Sequence, residues 1–227
     1  MLKVYGFARV NKGARGNTRD LRVLWTLEEI GLPYEIVGMD HPNHDLDSPA
    51  YRALNPFGQI PVIDDDGVVV SESGAILLYL ARKSGKLMPH DLAGEAQVLR
   101  WSFAALTTIE VPVLSLWFVN LSGGKDSKPS EALHDWAEMR LKQLDGWLTN
   151  RQFIATEDFT VADILMTHVL DAGTHQEMLK PCRTSLPTAR VARNARHGSG
   201  RSTRTASESK PPEIERRGRG RQSRLDF

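Results

Sequence analysis

The sequence predicts a small α/β domain, then an all-α helical domain, then a basic tail. Three observations predict this order: a strand, helix and strand pattern near the start, a helical apolar period without strand patterns from about residue 92, and a change of composition at Cys182. A chain of 227 residues can bury one sizeable core or two small ones. We expect an α/β domain over 1–84, an incomplete helical domain over 92–181, and a disordered Arg-rich tail over 182–227.

The first domain begins with a βαβ pattern. Leu2 to Phe7 alternate as a strand, Leu21 to Ile30 follow a helical apolar period that Gly31 ends, and Pro33 to Val37 form a second strand. These elements span about thirty residues, which implies a parallel strand pair. Residues 62–70 then predict a hairpin around an Asp-Gly turn, and Ser73 to Lys83 a helix.

The second domain reads as helices. Apolar faces recur at Val98, Trp101, Ala105, Ile109 and, after a loop at 123–126, at Leu133, Trp136, Ala137, Leu144, Trp147 and Leu148. Thr160 and Asp163 have the spacing of a capping box, with Phe159 packing toward Ile164 as a hydrophobic staple. This motif is expected to start a buried helix and to do no chemistry.

The segment 55–63, Asn-Pro-Phe-Gly-Gln-Ile-Pro-Val-Ile, predicts a ligand site. Pro61 lacks an N–H and interrupts the strand, which leaves the main chain of Ile60 free to pair with an extended peptide. At the helix that follows, the first N–H groups and the Ser73 hydroxyl suit a carboxylate, and Glu72 suits an ammonium. The alternative is that Ser71 and Glu72 only cap the helix.

These motifs, in this order, resemble the glutathione S-transferase family over about residues 1–181. The resemblance implies a thioredoxin-like first domain, a cis-proline at Pro61, and glutathione as co-substrate bound by Gln59, Ile60, Pro61, Glu72 and Ser73. It also implies detoxification by attack of the glutathione thiolate on an electrophilic small molecule, and a homodimer.

The family position of the thiol-activating group falls at Asn17 or Thr18, when the chain is aligned on residues 21–23. Either side chain can donate to sulfur, but either can instead be the N-cap of the first helix. Tyr5 is a less favoured candidate. No cysteine precedes Cys182, so the thiol-transfer branch of the family finds no support.

Several polar side chains are less specific. The loop cations Arg9, Lys12 and Arg15 suit the glycyl carboxylate of glutathione or simply face solvent. His41 and His44 lack a third nearby metal ligand, so we expect an exposed loop and no metal site, with His41 near the glycyl end. Trp101, Phe103, Trp117 and Phe118 either line the second-substrate pocket or belong to the core.

The composition indicates a cytoplasmic protein. Cys182 is the single cysteine, which excludes an internal disulfide. The N-terminus lacks a signal-peptide core, and the apolar run near 111–119 is too short to span a bilayer. We therefore expect no membrane association.

The tail differs chemically from the rest of the chain. Residues 182–227 hold twelve Lys and Arg against four Asp and Glu, a balance of +8, whereas the preceding residues balance at −7. A frameshift explains the change best, because codons allowed for Cys182 to Glu208 can be read in another frame as an amphipathic peptide similar to the family's closing helices. The rival explanation is an evolved basic tail.

Two functional classes therefore remain. The first is an enzyme: a glutathione transferase, or a peroxidase that uses the same thiolate. The second is a non-catalytic binding protein whose tail contacts nucleic acid through phosphates. Nucleic-acid binding is the less favoured, because the tail lacks interleaved aromatic residues.

Overall fold

The computed structural model describes residues 1–10 and 16–171. Its first part is a mixed four-stranded sheet of order β2-β1-β3-β4, with helices on both faces. The strands are β1 (Leu2–Arg9), β2 (Tyr34–Asp40), β3 (Val62–Asp65) and β4 (Val68–Ser71). The helices are α1 (Asp20–Ile30), α2 (Pro49–Leu54) and α3 (Ser73–Ser84). As predicted, β1 pairs with β2 in parallel and β3 with β4 as a hairpin.

In the second part, every regular element among the described residues is a helix. It consists of α4 (Leu92–Phe103), a π-helical segment (Ala104–Ile109), α5 (Glu110–Val119), a second π-helical segment (Asn120–Gly124), α6 (Lys128–Leu148) and α7 (Val161–Asp171). Gly123, at φ 85°, leaves the helical conformation where the loop before α6 was predicted. The α/β plus all-α fold class is thus confirmed, whereas the predicted tail lies outside the described residues.

One hydrophobic cluster joins the two parts. One face of β1 and β3 packs with α1 and α3 against α4, α6 and α7, and every residue from Val161 to Leu170 is buried. A smaller cluster of Leu46, Tyr51, Ile60 and Val62 lies apart from it, with Tyr5 and Phe7 packed against it. The second cluster supports the turn before β3, where the sequence predicts the ligand site.

The predicted capping box at α7 has an altered bond pattern. The Thr160 N–H and hydroxyl both donate to Asp163 Oδ2, each at 2.9 Å, and the Ile154 N–H donates to Asp163 Oδ1 at 2.8 Å. The Thr160 hydroxyl therefore donates to the carboxylate rather than accepting from a helix N–H, while the main-chain oxygen of Thr160 accepts from the N–H groups of Asp163 and Ile164. Phe159 packs against the main cluster and contacts the rings of Trp25 and Phe153.

The expectation about apolar runs needs a correction. Leu92–Gly124 forms 33 helical residues with a mean hydropathy of 1.6 in its most apolar window, which meets the length and composition of a membrane span. The sequence reading missed it because it treated the two flanks of Glu110 separately. One such helix is weak support for a membrane protein, since core helices meet the same criteria.

Candidate functional site

The turn before β3 is held by two side chains that converge on one carbonyl. Tyr51 Oη and Asn55 Nδ2 donate to the main-chain oxygen of Gln59 at 2.9 and 2.8 Å. Tyr51 and Asn55 are both buried, and the Ile60–Pro61 peptide is cis. Pairing to β1 and β4 stops at Val62, so the Ile60 main chain lies beyond the ladder, as the sequence predicts.

Burial raises the pKa of the Tyr51 hydroxyl, and the nearby Tyr5 and Asp20 raise it further. Tyr51 therefore stays a neutral donor at physiological pH. Tyr5 meets the Tyr51 ring edge-on with 5.9 Å between centroids, within the smaller cluster. This packing gives Tyr5 a role in supporting the turn.

The start of α3 is strained. Glu72 is the N-cap residue at φ 68° and ψ 116°, a conformation that costs a non-glycine residue about 1–3 kcal/mol, and its side chain makes no capping bond. Glu72 is therefore the N-cap residue by position, but its side chain does not cap the helix. The carboxylate of Glu72 is exposed, whereas Ser73 is 4% exposed.

A buried arginine contacts Ser73 from α1. Arg22 is 1% exposed, and its guanidinium donates to Ser73 Oγ at 3.1 Å, Glu110 Oε1 at 2.9 Å and His168 Nδ1 at 3.1 Å. Burial lowers the pKa of Arg22, and the Glu110 carboxylate opposes that effect. Arg19 donates to the same Glu110 oxygen through Nε at 3.2 Å and Nη2 at 2.9 Å.

His168 extends this network to the predicted thiol-activating segment. An arginine can only donate, so His168 Nδ1 must accept from Arg22 and the proton must lie on Nε2. Nε2 is 3.1 Å from the main-chain oxygen of Thr18 and donates to it. Thr18 and Ser73 are thereby connected through two buried side chains.

Thr18 and Asn17 lie directly before α1, but Arg19 is the N-cap residue and makes no side-chain capping bond. Both candidate side chains are half-buried. The Thr18 hydroxyl has no hydrogen-bond partner among residues 1–10 and 16–171. The alternative that Thr18 caps the helix is therefore wrong.

The less specific polar residues that the structure describes make local contacts at the end of β1 and in the segment after β2. Arg9 pairs with Asp40 at 2.8 Å, and Lys12 and Arg15 lie outside the described residues. His44 Nδ1 is 3.2 Å from Asp47 Oδ2, and the ring of His41 contacts Phe7. Across the described part of the chain no group of His, Cys, Asp or Glu side chains could hold a metal ion.

The sequence reading missed Arg22, Glu110 and His168. These residues come from α1, the start of α5 and α7, so no local motif contains them. A signal was nonetheless present, because each is a polar residue inside an apolar helical stretch. Such residues are found buried when they are paired with one another.

Two family models match the chain. The glutathione S-transferase N-terminal domain matches residues 13–82, and the C-terminal domain matches residues 106–187. Glutathione S-transferase 3 of Schizosaccharomyces pombe is 32% identical over 167 residues, covering 65% of this chain and 67% of that protein.

Two solved structures extend the comparison. A Pseudomonas fluorescens glutathione transferase family member with two glutathione molecules bound has a TM-score of 0.72 and 26% identity, covering 88% of this chain and 89% of the other. A Pseudomonas putida glutathione transferase with one glutathione disulfide per subunit has a TM-score of 0.68 and 27% identity, covering 88% and 87%.

Proposed function

The chain belongs to the glutathione S-transferase family, and we propose that it activates the thiol of glutathione for attack on a small electrophile. The Thr18 hydroxyl carries this proposal, because it lies at the N-terminal end of α1 and has no hydrogen-bond partner among the described residues. Bound glutathione supplies such a partner in its cysteinyl sulfur.

The tripeptide would lie along the turn before β3. Its cysteinyl main chain pairs with Ile60, its γ-glutamyl carboxylate meets Ser73 and the first N–H groups of α3, and its ammonium meets Glu72. The side chain of Gln59 is exposed beside this path, and Pro61 shapes it. The backbone position of Ile60 and the polarity of the α3 start support this placement.

Catalysis depends on forming the thiolate. A free thiol has a pKa of roughly 8.5, so only a few per cent is ionised at neutral pH, and lowering the pKa by about two makes the anion dominant. A donor that bonds to the anion stabilises it selectively, and the dipole of α1 adds to the effect. The thiolate then forms a bond to the electrophilic carbon, and the leaving group departs with the electron pair of the broken bond.

The test compares Thr18→Val with Asn17→Ala. If Thr18 is the donor, Thr18→Val raises the pKa of bound glutathione and lowers turnover while the dissociation constant changes little. Ultraviolet titration of the thiolate in the complex measures this directly, and Asn17→Ala is the matched comparison. A shift only in Asn17→Ala would assign the role to Asn17, and no shift in either variant would overturn both assignments.

A second candidate reaction is glutathione-dependent peroxide reduction. The relatives that hold two glutathione molecules or one glutathione disulfide favour it. The thiolate would attack the peroxide to give an alcohol and a glutathione sulfenic acid, and a second glutathione would convert that acid to the disulfide and water. Consumption of two glutathione molecules per peroxide supports this reaction, whereas turnover only with carbon electrophiles excludes it.

We also propose a homodimer in the cytoplasm. Phe57, Phe103 and Val111 are exposed apolar side chains, which are common at interfaces between subunits. Light scattering after size exclusion measures the mass in solution, and a monomer at all concentrations would contradict the dimer. The rival proposal, a nucleic-acid-binding protein without catalysis, predicts no retention on glutathione-agarose.

A further inference from the structure

The glutathione site proposed above depends on two groups whose orientation is not fixed by the backbone alone. A serine hydroxyl rotates about its C–O bond, and the Thr18 hydroxyl depends on where the main chain before α1 lies. The buried network of Arg22, Glu110 and His168 contacts the Ser73 hydroxyl and the main-chain oxygen of Thr18. The following inference rests on the proposed function.

We infer that Arg22 and His168 are positioning residues, Arg22 for the Ser73 hydroxyl that receives the glutathione carboxylate and His168 for the Thr18 main chain that places the thiol-activating hydroxyl. The network thus has two branches: Arg22 contacts Ser73 directly through Nη1, and it contacts His168, which bonds to Thr18, through Nε. The helical domain supplies Glu110 and His168, so it completes the site formed by the first domain.

The Ser73 branch follows from donor and acceptor counting. Arg22 Nη1 donates to Ser73 Oγ at 3.1 Å, which directs the hydroxyl hydrogen of Ser73 away from the guanidinium. The hydroxyl hydrogen then remains available for donation to an incoming acceptor. Arg22 and Arg19 share the single carboxylate of Glu110, so that carboxylate does not neutralise both cations, and the Arg22 guanidinium lies beside the start of α3.

The Thr18 branch follows from the tautomer of His168. The Thr18 oxygen accepts from His168 Nε2 at 3.1 Å and from the Leu21 N–H at 3.2 Å, so the peptide is held from two directions. The neighbouring hydroxyl is thereby held at the N-terminal end of α1. Loss of the His168 bond would release this peptide without changing the residues that contact the tripeptide backbone.

The two branches predict different kinetic effects. Arg22→Lys keeps the charge, but an ammonium cannot reproduce the planar fork that serves three acceptors. We expect the dissociation constant of glutathione to rise about tenfold, as for loss of one hydrogen bond to a charged group. Arg19→Lys is the matched control, because Arg19 shares Glu110 but contacts neither Ser73 nor His168.

His168→Asn separates the second branch from the first. The shorter amide can still accept from Arg22 at the position of Nδ1, but it does not reach the Thr18 oxygen. The pKa of bound glutathione should rise by about one while the dissociation constant stays within about twofold. His168→Gln has a longer amide that can reach Thr18, so it should restore the low thiol pKa.

A double-mutant cycle distinguishes positioning from general damage to the fold. If His168 acts through Thr18, His168→Asn in the Thr18→Val background causes no further shift of the thiol pKa. Additive shifts, or no shift in His168→Asn alone, would overturn the inference. If His168→Asn abolishes the cooperative thermal transition, Arg22→Lys decides, and an unchanged glutathione affinity in that folded variant overturns the inference.

Measurements on the wild-type protein distinguish failure of the proposed function from failure of the positioning inference alone. A wild-type chain that neither binds glutathione nor shows a thiolate band overturns the proposed function together with this inference. A wild-type chain that binds glutathione and forms the thiolate, with both variants behaving like wild type, overturns only the inference.

Discussion

Ser73, the buried first residue of α3, has a hydroxyl oxygen that accepts a hydrogen bond from the Arg22 guanidinium. The bond from Arg22 assigns Ser73 Oγ as an acceptor on one side and leaves its hydrogen for a ligand. Ser73→Ala should weaken glutathione binding by about 1–2 kcal/mol, the range for a hydrogen bond to a charged group. Titration calorimetry measures the change. Ser84→Ala, at the other end of α3, is the control, and equal affinity in all three proteins would refute the placement.

Glu72 illustrates a conflict between stability and binding. Its φ of 68° favours glycine, which adopts positive φ without steric cost. Glu72→Gly should therefore raise the free energy of unfolding by about 1 kcal/mol while weakening glutathione binding. Glu72→Gln keeps the strain and removes the charge, so it should weaken binding without stabilising the fold. Urea unfolding and calorimetry on both variants test this, and a destabilised glycine variant would contradict the strain argument.

The element that brings Glu110 to the site is the first π-helical segment. It ends at Ile109, directly before Glu110, and its Leu106 lies close to Gly74, where an added Cβ would come within 2.7 Å of Leu106 Cδ1. The segment therefore approaches the start of α3, next to Ser73. π-helical turns recur at functional sites because they displace side chains from the regular helical spacing.

The β3–α3 contact provides a prediction about acid stability. Asp65 on β3 accepts from Lys83 and from Tyr79 Oη on α3, and the bond from Lys83 followed by that from Tyr79 lowers the pKa of Asp65. A lowered pKa contributes stability above the unfolded-state value of about 3.9, and this contribution is lost as the pH falls through the folded-state value.

Between about pH 6 and pH 2, the free energy of unfolding should therefore depend less on pH in Asp65→Asn than in the wild type. Urea midpoints measured from about pH 6 down to about pH 2 should fall more steeply for wild type than for Asp65→Asn. Glu138→Gln is the control, because Glu138 pairs with Lys142 on an exposed helix face where ion pairs contribute little. If the urea midpoints of wild type and Asp65→Asn fall in parallel with pH, Asp65 does not contribute to the acid dependence of stability.

Regular elements were predictable where one period dominates the pattern. The strands of the βαβ unit and the hairpin follow apolar alternation, the helices α1 and α3 follow a helical apolar period, and the structure contains these elements within a few residues. Helix α2 was missed because it has only six residues, although Ser48 as N-cap and Pro49 after it are a start signal. The two π-helical segments were not predicted, because they continue the apolar period of the helices beside them.

At the scale of the whole molecule, the two domains share one core and one polar network. The Val161 N–H donates to the Leu87 oxygen at 3.0 Å, and α7 packs against α1, α3 and α4. The backbone part of the site was predictable because it is local in sequence, from residue 55 to residue 73. The part that connects Arg22, Glu110 and His168 was not, because only the tertiary fold brings α1, α5 and α7 together.

The predicted tail also concerns the whole molecule. Trp136 and Met139 on α6 are 38% and 44% exposed, so α6 has an apolar face that further helices would suit. The match to the family's C-terminal domain ends at residue 187, near the change of composition at Cys182. We propose that a frameshift in this region has replaced the family's closing helices.

The frameshift explanation and the basic-tail explanation predict opposite outcomes for two altered proteins. If residues from Cys182 onward are out-of-frame, deleting them changes the melting temperature little, and restoring the alternate frame raises it by several degrees because the apolar faces are covered. An evolved basic tail predicts no gain from the alternate frame, and deletion would abolish a salt-sensitive affinity for DNA. Melting curves of the full-length, truncated and frame-restored proteins, with DNA titrations at two salt concentrations, separate these explanations. A full-length protein that melts as cooperatively as the frame-restored one would count against the frameshift.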